Sequence, residues 1–242
     1  MLHNVLLVNT TQMPISSFEI HVCLSCKLRF PVAGEYSFNG RCPHCLGETE
    51  VVLKNTINTE QSATKTENTA NQPHLAVLLD NIRSAWNVGS ILRSADGFGF
   101  DHAYLCGISP NPKNEAVAKT SLGAENFVTW SEHKNAIELV NSLKQEGWKI
   151  YALEETKKAT DIRMLKLKPK DKAVLILGSE VTGVDPELLT QADEIIAIPM
   201  RGGKRSFNVS VAFAISAYAL RYNTIRKTNP KSKIKPRTIS AR

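Results

Sequence analysis

No stretch of the 242-residue sequence stays apolar for the roughly 20 residues that a membrane-spanning helix needs. The opening residues, MLHNVLLVNTTQMP, contain no basic leader, and the apolar run from Val5 to Val8 is too short for a secretory signal. The expectation is an intracellular, cytoplasmic chain with no membrane partner. A dinucleotide-type phosphate loop is missing too: Gly97 and Gly99 form a GxG pair without the third glycine. No internal repeat is visible. What is present is ordinary for a soluble globular chain, with 42% apolar and 22% charged residues, which excludes wholesale disorder and a fibrous repeat. The length fits one or two domains.

Acidic residues are absent from the end of the chain. Arg226, Lys227, Lys231, Lys233, Lys235, Arg237 and Arg242 occur there without a single carboxylate. The net charge is +7, so this tail carries all of it and the rest of the chain sums to zero. A basic tail on a neutral body suits a polyanionic partner such as RNA or DNA, and equally a purely solubilising role.

Residues 55–73 read NTINTEQSATKTENTANQP, and twelve of the nineteen are Asn, Thr, Gln or Ser. Such a segment buries too little to offset its ordering entropy, so it reads as a flexible linker. The chain then divides into a module at 1–54, the linker at 55–73, a body at 74–226 and the tail at 227–242. In the body, strands are expected at 74–80, 102–107, 127–130, 148–154, 173–178 and 194–200. Helices are expected at 87–97, 114–119, 133–147, 186–192 and 208–225, the last with Val211, Ile215, Tyr218 and Tyr222 on one stripe. Regular alternation of strand and helix predicts an α/β domain with a mostly parallel sheet.

Four of the five cysteines follow the pattern Cys23-x2-Cys26 and Cys42-x2-Cys45. Two CxxC knuckles at this spacing point to one tetrahedral Zn²⁺ held by four thiolates, a zinc-ribbon-like module. No ligand position is left for substrate, so the ion reads as structural. It would supply folding energy that so short a segment cannot take from a core. A redox CxxC would need a single motif near a βαβ unit, and two disulfides would need an oxidising compartment. His21 and His44 neighbour ligand cysteines but have no place in a filled shell. Cys106 reads as a small core residue.

Glycine-bearing turns follow two late strands: GSEVTGV after AVLILG, and RGGKRSFN after AIPM. Backbone can approach a small molecule closely at such turns. Three segments, NVGSILRSADGFG, LILGSEVTGV and IPMRGGKRSFNVSVAFAI, together with KTSLGAE, resemble the SpoU (TrmH-like) branch of the SPOUT RNA methyltransferases. The resemblance covers about 74–226 and leaves out the cysteine module, linker and tail. It implies an α/β fold with a C-terminal trefoil knot, S-adenosylmethionine (AdoMet) as methyl donor, a homodimer, and 2′-O-methylation of a ribose in tRNA or rRNA. Carried onto this sequence, it assigns catalytic roles to Asn87, Arg93, Glu180, Ser206 and Asn208. It assigns donor binding to Gly178, Ile198, Met200, Gly202, Phe207 and Val209. Phe207 departs from the family's usual Leu.

A methyl transfer of this kind needs the 2′-oxygen in line with the sulfonium, so positioning supplies most of the acceleration. A guanidinium almost never gives up its proton, so Arg93 is expected to bind phosphate and stabilise the developing oxyanion rather than act as a base. The tail and ribbon would add RNA contacts. Each residue also has a structural reading. Asn87 could be a helix N-cap, Arg93 a surface side chain, and Glu180 a structural ion-pair partner, while Ser206 and Asn208 could start the last helix. The rival functions are a knotted RNA-binding protein without catalysis, and a zinc-ribbon nucleic-acid factor whose body only dimerises.

Overall fold

A computed structural model of the chain describes residues 17–33, 40–56 and 72–223. The Val5–Val8 run, the linker from 57 to 71 and the basic tail lie outside the described residues. The chain forms two compact units, Met1–Glu67 and Asn68–Arg242.

In the first unit, β1 (Ser17–Cys23) is the middle strand between β2 (Arg29–Ala33) and β3 (Thr49–Thr56), all antiparallel. A bulge at Ile20/His21 shifts the β1–β3 register. Asn55 and Thr56, read from composition as the start of the linker, are the last residues of β3, paired with Phe18 and Ser17.

The second unit alternates β4 (His74–Asp80), α1 (Ala85–Gly97), β5 (His102–Cys106), α2 (Glu115–Ser121), β6 (Thr129–His133), α3 (Ala136–Gln145), β7 (Lys149–Leu153), β8 (Thr160–Asp161), β9 (Lys172–Leu177), α4 (Pro186–Gln191), β10 (Glu194–Ala197) and α5 (Val209–Tyr222). The sheet order is β6-β5-β4-β9-β7-β10-β8, and every pairing in it is parallel. Both faces of the central strands are covered, which is why β4 and β9 are apolar almost throughout. Leu75, Val77 and Leu79 pack with Ile91, Leu92, Phe100 and Phe213 in one core. Ala76 and Leu78 pack with Val140, Leu143, Ile150 and Leu188 in the other. The last strand, β10, lies inside the sheet, between β7 and β8.

Helix ends follow local chemistry. Asn114, Asn135 and Asp185 cap α2, α3 and α4 with side-chain oxygens. Gly99 and Gly147 adopt the left-handed conformation just past α1 and α3. The paired bonds Gly99 N–H to Asp96 and Phe100 N–H to Ala95 close the first helix as a Schellman turn. Arg221, near the end of α5, donates to the carbonyls of Phe98 (2.7 Å), Gly99 and Pro73, so the last helix is fastened to the end of α1 and the chain entering β4.

The structure orients α5 and corrects two strand ends. The Val211, Ile215, Tyr218 and Tyr222 stripe of α5 is its exposed side, with exposures from 36% to 59%; Phe213, Ser216, Ala217 and Leu220 face the core. Apolar residues on both sides of the helix hide this orientation from a periodicity argument. The strand expected at 127–130 begins at Thr129, because a 3₁₀ turn at Ala124–Asn126 continues through the Val128 N–H to Ala124 bond. The strand expected to reach Met200 stops at Ala197. Cys106 is buried, and burial pushes its thiol up to about 12.

A directed hydrogen-bond chain crosses β5 and β6. Thr129 donates to the Asp101 carbonyl (2.7 Å), so it accepts from His102 Nδ1 (2.7 Å). In the neutral ring, His102 Nε2 then accepts from Ser131 (2.8 Å), which accepts from His133 Nε2 (2.8 Å). Burial first, and the nearby His133 second, lower the His102 pKa from its ordinary 6.5. The unfolded chain therefore binds this proton at higher pH than the folded one. The contribution is complete above pH 6.5 and is lost as the pH falls below it. Urea unfolding of the wild type between pH 7.5 and 5.5, beside His102→Gln, should show a drop in midpoint over this window that the variant flattens.

Candidate active site

Ligands in open α/β sheets bind at the carboxyl ends of strands. At that edge, β4 and β9 are neighbours, and the loops after them meet. The Glu180 carboxylate, in the loop after β9, accepts from the Arg83 backbone N–H (2.9 Å), the Ser84 backbone N–H (3.2 Å) and the Asn87 side-chain amide (2.8 Å). Partial burial raises its pKa, but the Arg83 hydrogen bond and then the others outweigh this, leaving it below the usual range. It sits at the N-terminus of α1, where negative charge is favoured.

Asn87 carries the connection onward. Its side-chain carbonyl accepts from the Asn208 amide (3.1 Å). The Asn208 carbonyl oxygen accepts from the Ser210 backbone N–H (2.9 Å) and hydroxyl (2.7 Å), capping α5. Glu180, Asn87 and Asn208 thus tie the loops after β9 and β4 to the start of α5. The N-cap of α1 is Ser84, not Asn87, whose amide is committed to this tie.

Gly178 and Gly183 make the β9 loop possible. A Cβ on Gly178 would overlap the Gly183 and Val184 backbone, and Gly183 has a φ of 73° beside Glu154. Glu154, which the sequence reading missed, accepts the Val184 N–H (2.9 Å) and pins the far side of the same loop to the end of β7. Its only sequence signal is an acid ending an apolar strand.

The segment after β10 has a different character. Residues 201–208, including Gly202, Ser206 and Phe207, are exposed, while Ile198, Met200 and Val209 are half-buried. The backbone from Met200 to Ser206 makes no hydrogen bond among the described residues. Such a loop has donors and acceptors to offer a polar small molecule. Arg93 is exposed on α1, and its side chain has no ion pair or hydrogen bond among the described residues. A cavity of about 310 Å³ beside Lys144, Trp148, Lys149 and Asp193 holds none of these residues.

In the first unit, Cys23, Cys26, Cys42 and Cys45 bring their sulfurs within 4.8 Å of one another. The Cys23–Cys45 and Cys26–Cys42 separations are 3.5 and 3.6 Å, close to the roughly 3.8 Å edge of a tetrahedron with about 2.3 Å metal–sulfur bonds. The knuckles repeat each other: Cys23 N–H bonds to Leu28 and Lys27 N–H to Cys23, as Cys42 does to Gly47 and Leu46 to Cys42. The Cys26 backbone N–H draws the Cys23 thiol down to about 6. His21 is engaged with Thr49 and Glu19, both at 3.1 Å.

The model of the SpoU rRNA Methylase family matches residues 74–218. The chain belongs to this family. Its SpoU domain is 31% identical over 147 residues to the tRNA (guanosine(18)-2′-O)-methyltransferase of Escherichia coli K12, covering 61% of this chain and 62% of that protein. The enzyme of the same name from Thermus thermophilus is 37% identical over 144 residues, covering 60% and 72%. Among solved structures, a TrmH/SpoU tRNA modifying enzyme from A. aeolicus superposes with a TM-score of 0.57 at 28% identity, covering 64% of this chain and 78% of that one. An AdoMet-bound rRNA methyltransferase from Sinorhizobium meliloti gives 0.58 at 24% identity, covering 62% and 57%. The body therefore has the SPOUT-type α/β fold.

Removing the Glu180 carboxylate leaves two N–H groups of the α1 entry without this acceptor. Glu180→Ala should lower stability by about 1 kcal/mol. Glu180→Gln, which keeps one acceptor oxygen, should lose less; thermal unfolding of the two variants checks the order.

Proposed function

We propose that this chain is an AdoMet-dependent RNA methyltransferase acting on a ribose 2′-hydroxyl of tRNA or rRNA. The observation that carries this reading is the Glu180–Asn87–Asn208 tie. It holds the loops after β4 and β9 and the start of α5 in one arrangement, on the helix that also presents the exposed Arg93. The names of the relatives and the bound AdoMet of the Sinorhizobium protein support the same chemistry.

AdoMet supplies an electrophilic methyl group on its sulfonium when bound. The unbonded backbone of Met200–Ser206, with Gly178, Ile198, Phe207 and Val209 around it, suits its polar adenosine and amino-acid parts. Arg93 grips the phosphate beside the target ribose and offsets negative charge growing on the 2′-oxygen. Ser206 and Asn208 lie where the donor loop meets α5 and orient the two reactants. Arg201, Lys204 and Arg205 are exposed on that loop and attract the RNA backbone. The exposed Val211, Ile215, Tyr218 and Tyr222 stripe suits a homodimer contact. A structural Zn²⁺ is held by Cys23, Cys26, Cys42 and Cys45, and it supplies the ordering that a three-stranded sheet alone lacks.

The test is transfer of labelled methyl groups from AdoMet to bulk tRNA and rRNA, with mapping of the modified ribose. Arg93→Ala should lose turnover by about 100-fold or more while AdoMet still binds, and Arg93→Lys should not restore it. Near-normal turnover in Arg93→Ala removes this side chain from the mechanism. The purified chain should contain one zinc per molecule by elemental analysis, and Cys42→Ser should lose it together with the order of the first unit. A metal-free chain with an ordered first unit contradicts the zinc assignment.

A further inference from the structure

The first turn of α1 presents a large aromatic side chain that the chemistry above does not use. Trp86 is 60% exposed, and among the described residues its ring touches no other ring or cation. The other two tryptophans are placed differently: Trp130 packs against the core, and Trp148 lies under the Lys172 ammonium at 5.8 Å. The footing of Trp86 is rigid. Glu180 holds the backbone at Arg83 and Ser84, and Asn87 is tied to both Glu180 and Asn208.

Its neighbours are cationic. Arg93 lies seven residues on, so both side chains leave the same face of α1, about 10.5 Å apart along the axis. Arg83 precedes the N-cap and is exposed. Neither guanidinium has an ion pair or side-chain hydrogen bond among the described residues. An exposed indole on a tied-down helix entry, with an exposed arginine on either side of it along the chain, matches a nucleotide strand, whose bases stack on aromatic faces while its phosphates take the cations. A second copy of the chain fits less well. A two-fold contact centred here would set each Arg93 near its own counterpart, like charge against like.

We propose that Trp86 is a stacking platform for a nucleobase of the bound RNA, with Arg83 and Arg93 holding the flanking phosphates. The inference rests on the methyltransferase reading for which base is stacked: one next to the reacting ribose.

The test is filter binding of bulk tRNA and of poly(A) to wild type, W86A and W86F, with AdoMet affinity measured by calorimetry as the control. W86A should weaken both RNAs about ten-fold or more, W86F should recover most of the loss, and AdoMet affinity should not change. In W130F/W148F, where Trp86 is the sole emitter, poly(A) should quench the fluorescence; if that variant does not fold, the W86A and W86F affinities decide. Wild-type RNA affinity in W86A, unchanged emission at saturating poly(A), or a W86A effect confined to the monomer–dimer equilibrium overturns the proposal. Quenching without methyl transfer by the wild type leaves the platform standing and removes the catalytic reading. Methyl transfer with a W86A KM for RNA equal to that of wild type does the reverse. A wild type that binds no RNA removes both.

Discussion

One carboxylate organises the carboxyl edge of the body. Glu180 gathers two backbone N–H groups and one amide from the entry of α1, nearly a hundred residues earlier in the chain. Each bond alone is modest, since folding exchanges it for a bond to water. Their combination has a geometric effect: loops from two adjacent strands cannot drift apart while one acceptor serves both. Asn87 extends the restraint to α5 through its second polar atom. Catalysis by alignment requires that the parts be held before the substrate arrives, and this tie provides it without a ligand.

The two units reach order by different routes. The body buries strands on both faces, in two cores that alternate along β4. The first unit is a single antiparallel layer with most of its side chains in partial contact with water. Hydrophobic burial cannot do there what it does in the body, and the four sulfurs gather where the two knuckles meet.

Much of this was legible in the residues. HLAVLLD and AVLILG read as strands from their short apolar runs, and the CxxC pairs announced a common ligand. Residue types alone did not show that Asn87 and Asn208 meet across 121 positions, since both have plausible local roles as caps. The stripe on α5 was legible but not its facing, for the opposite reason: a helix apolar on several sides gives periodicity no contrast. Thr160–Asp161 is too short for any pattern and is a strand only because β10 lies beside it. Trp86 and its arginines stood in plain sequence, but nothing short of the fold says that the ring faces water.

The internal position of β10 bears on how the chain is made. Among the described residues β8 pairs only with β10, so a strand completed near residue 161 waits for one that ends at residue 197. The Arg221 anchor waits longer still, joining the far end of the polypeptide to residues 73, 98 and 99. The sheet therefore cannot be finished during most of translation on the ribosome. Until β10 is made, the edge of β7 that it covers stays unpaired, an open strand edge of the kind that templates pairing with other chains.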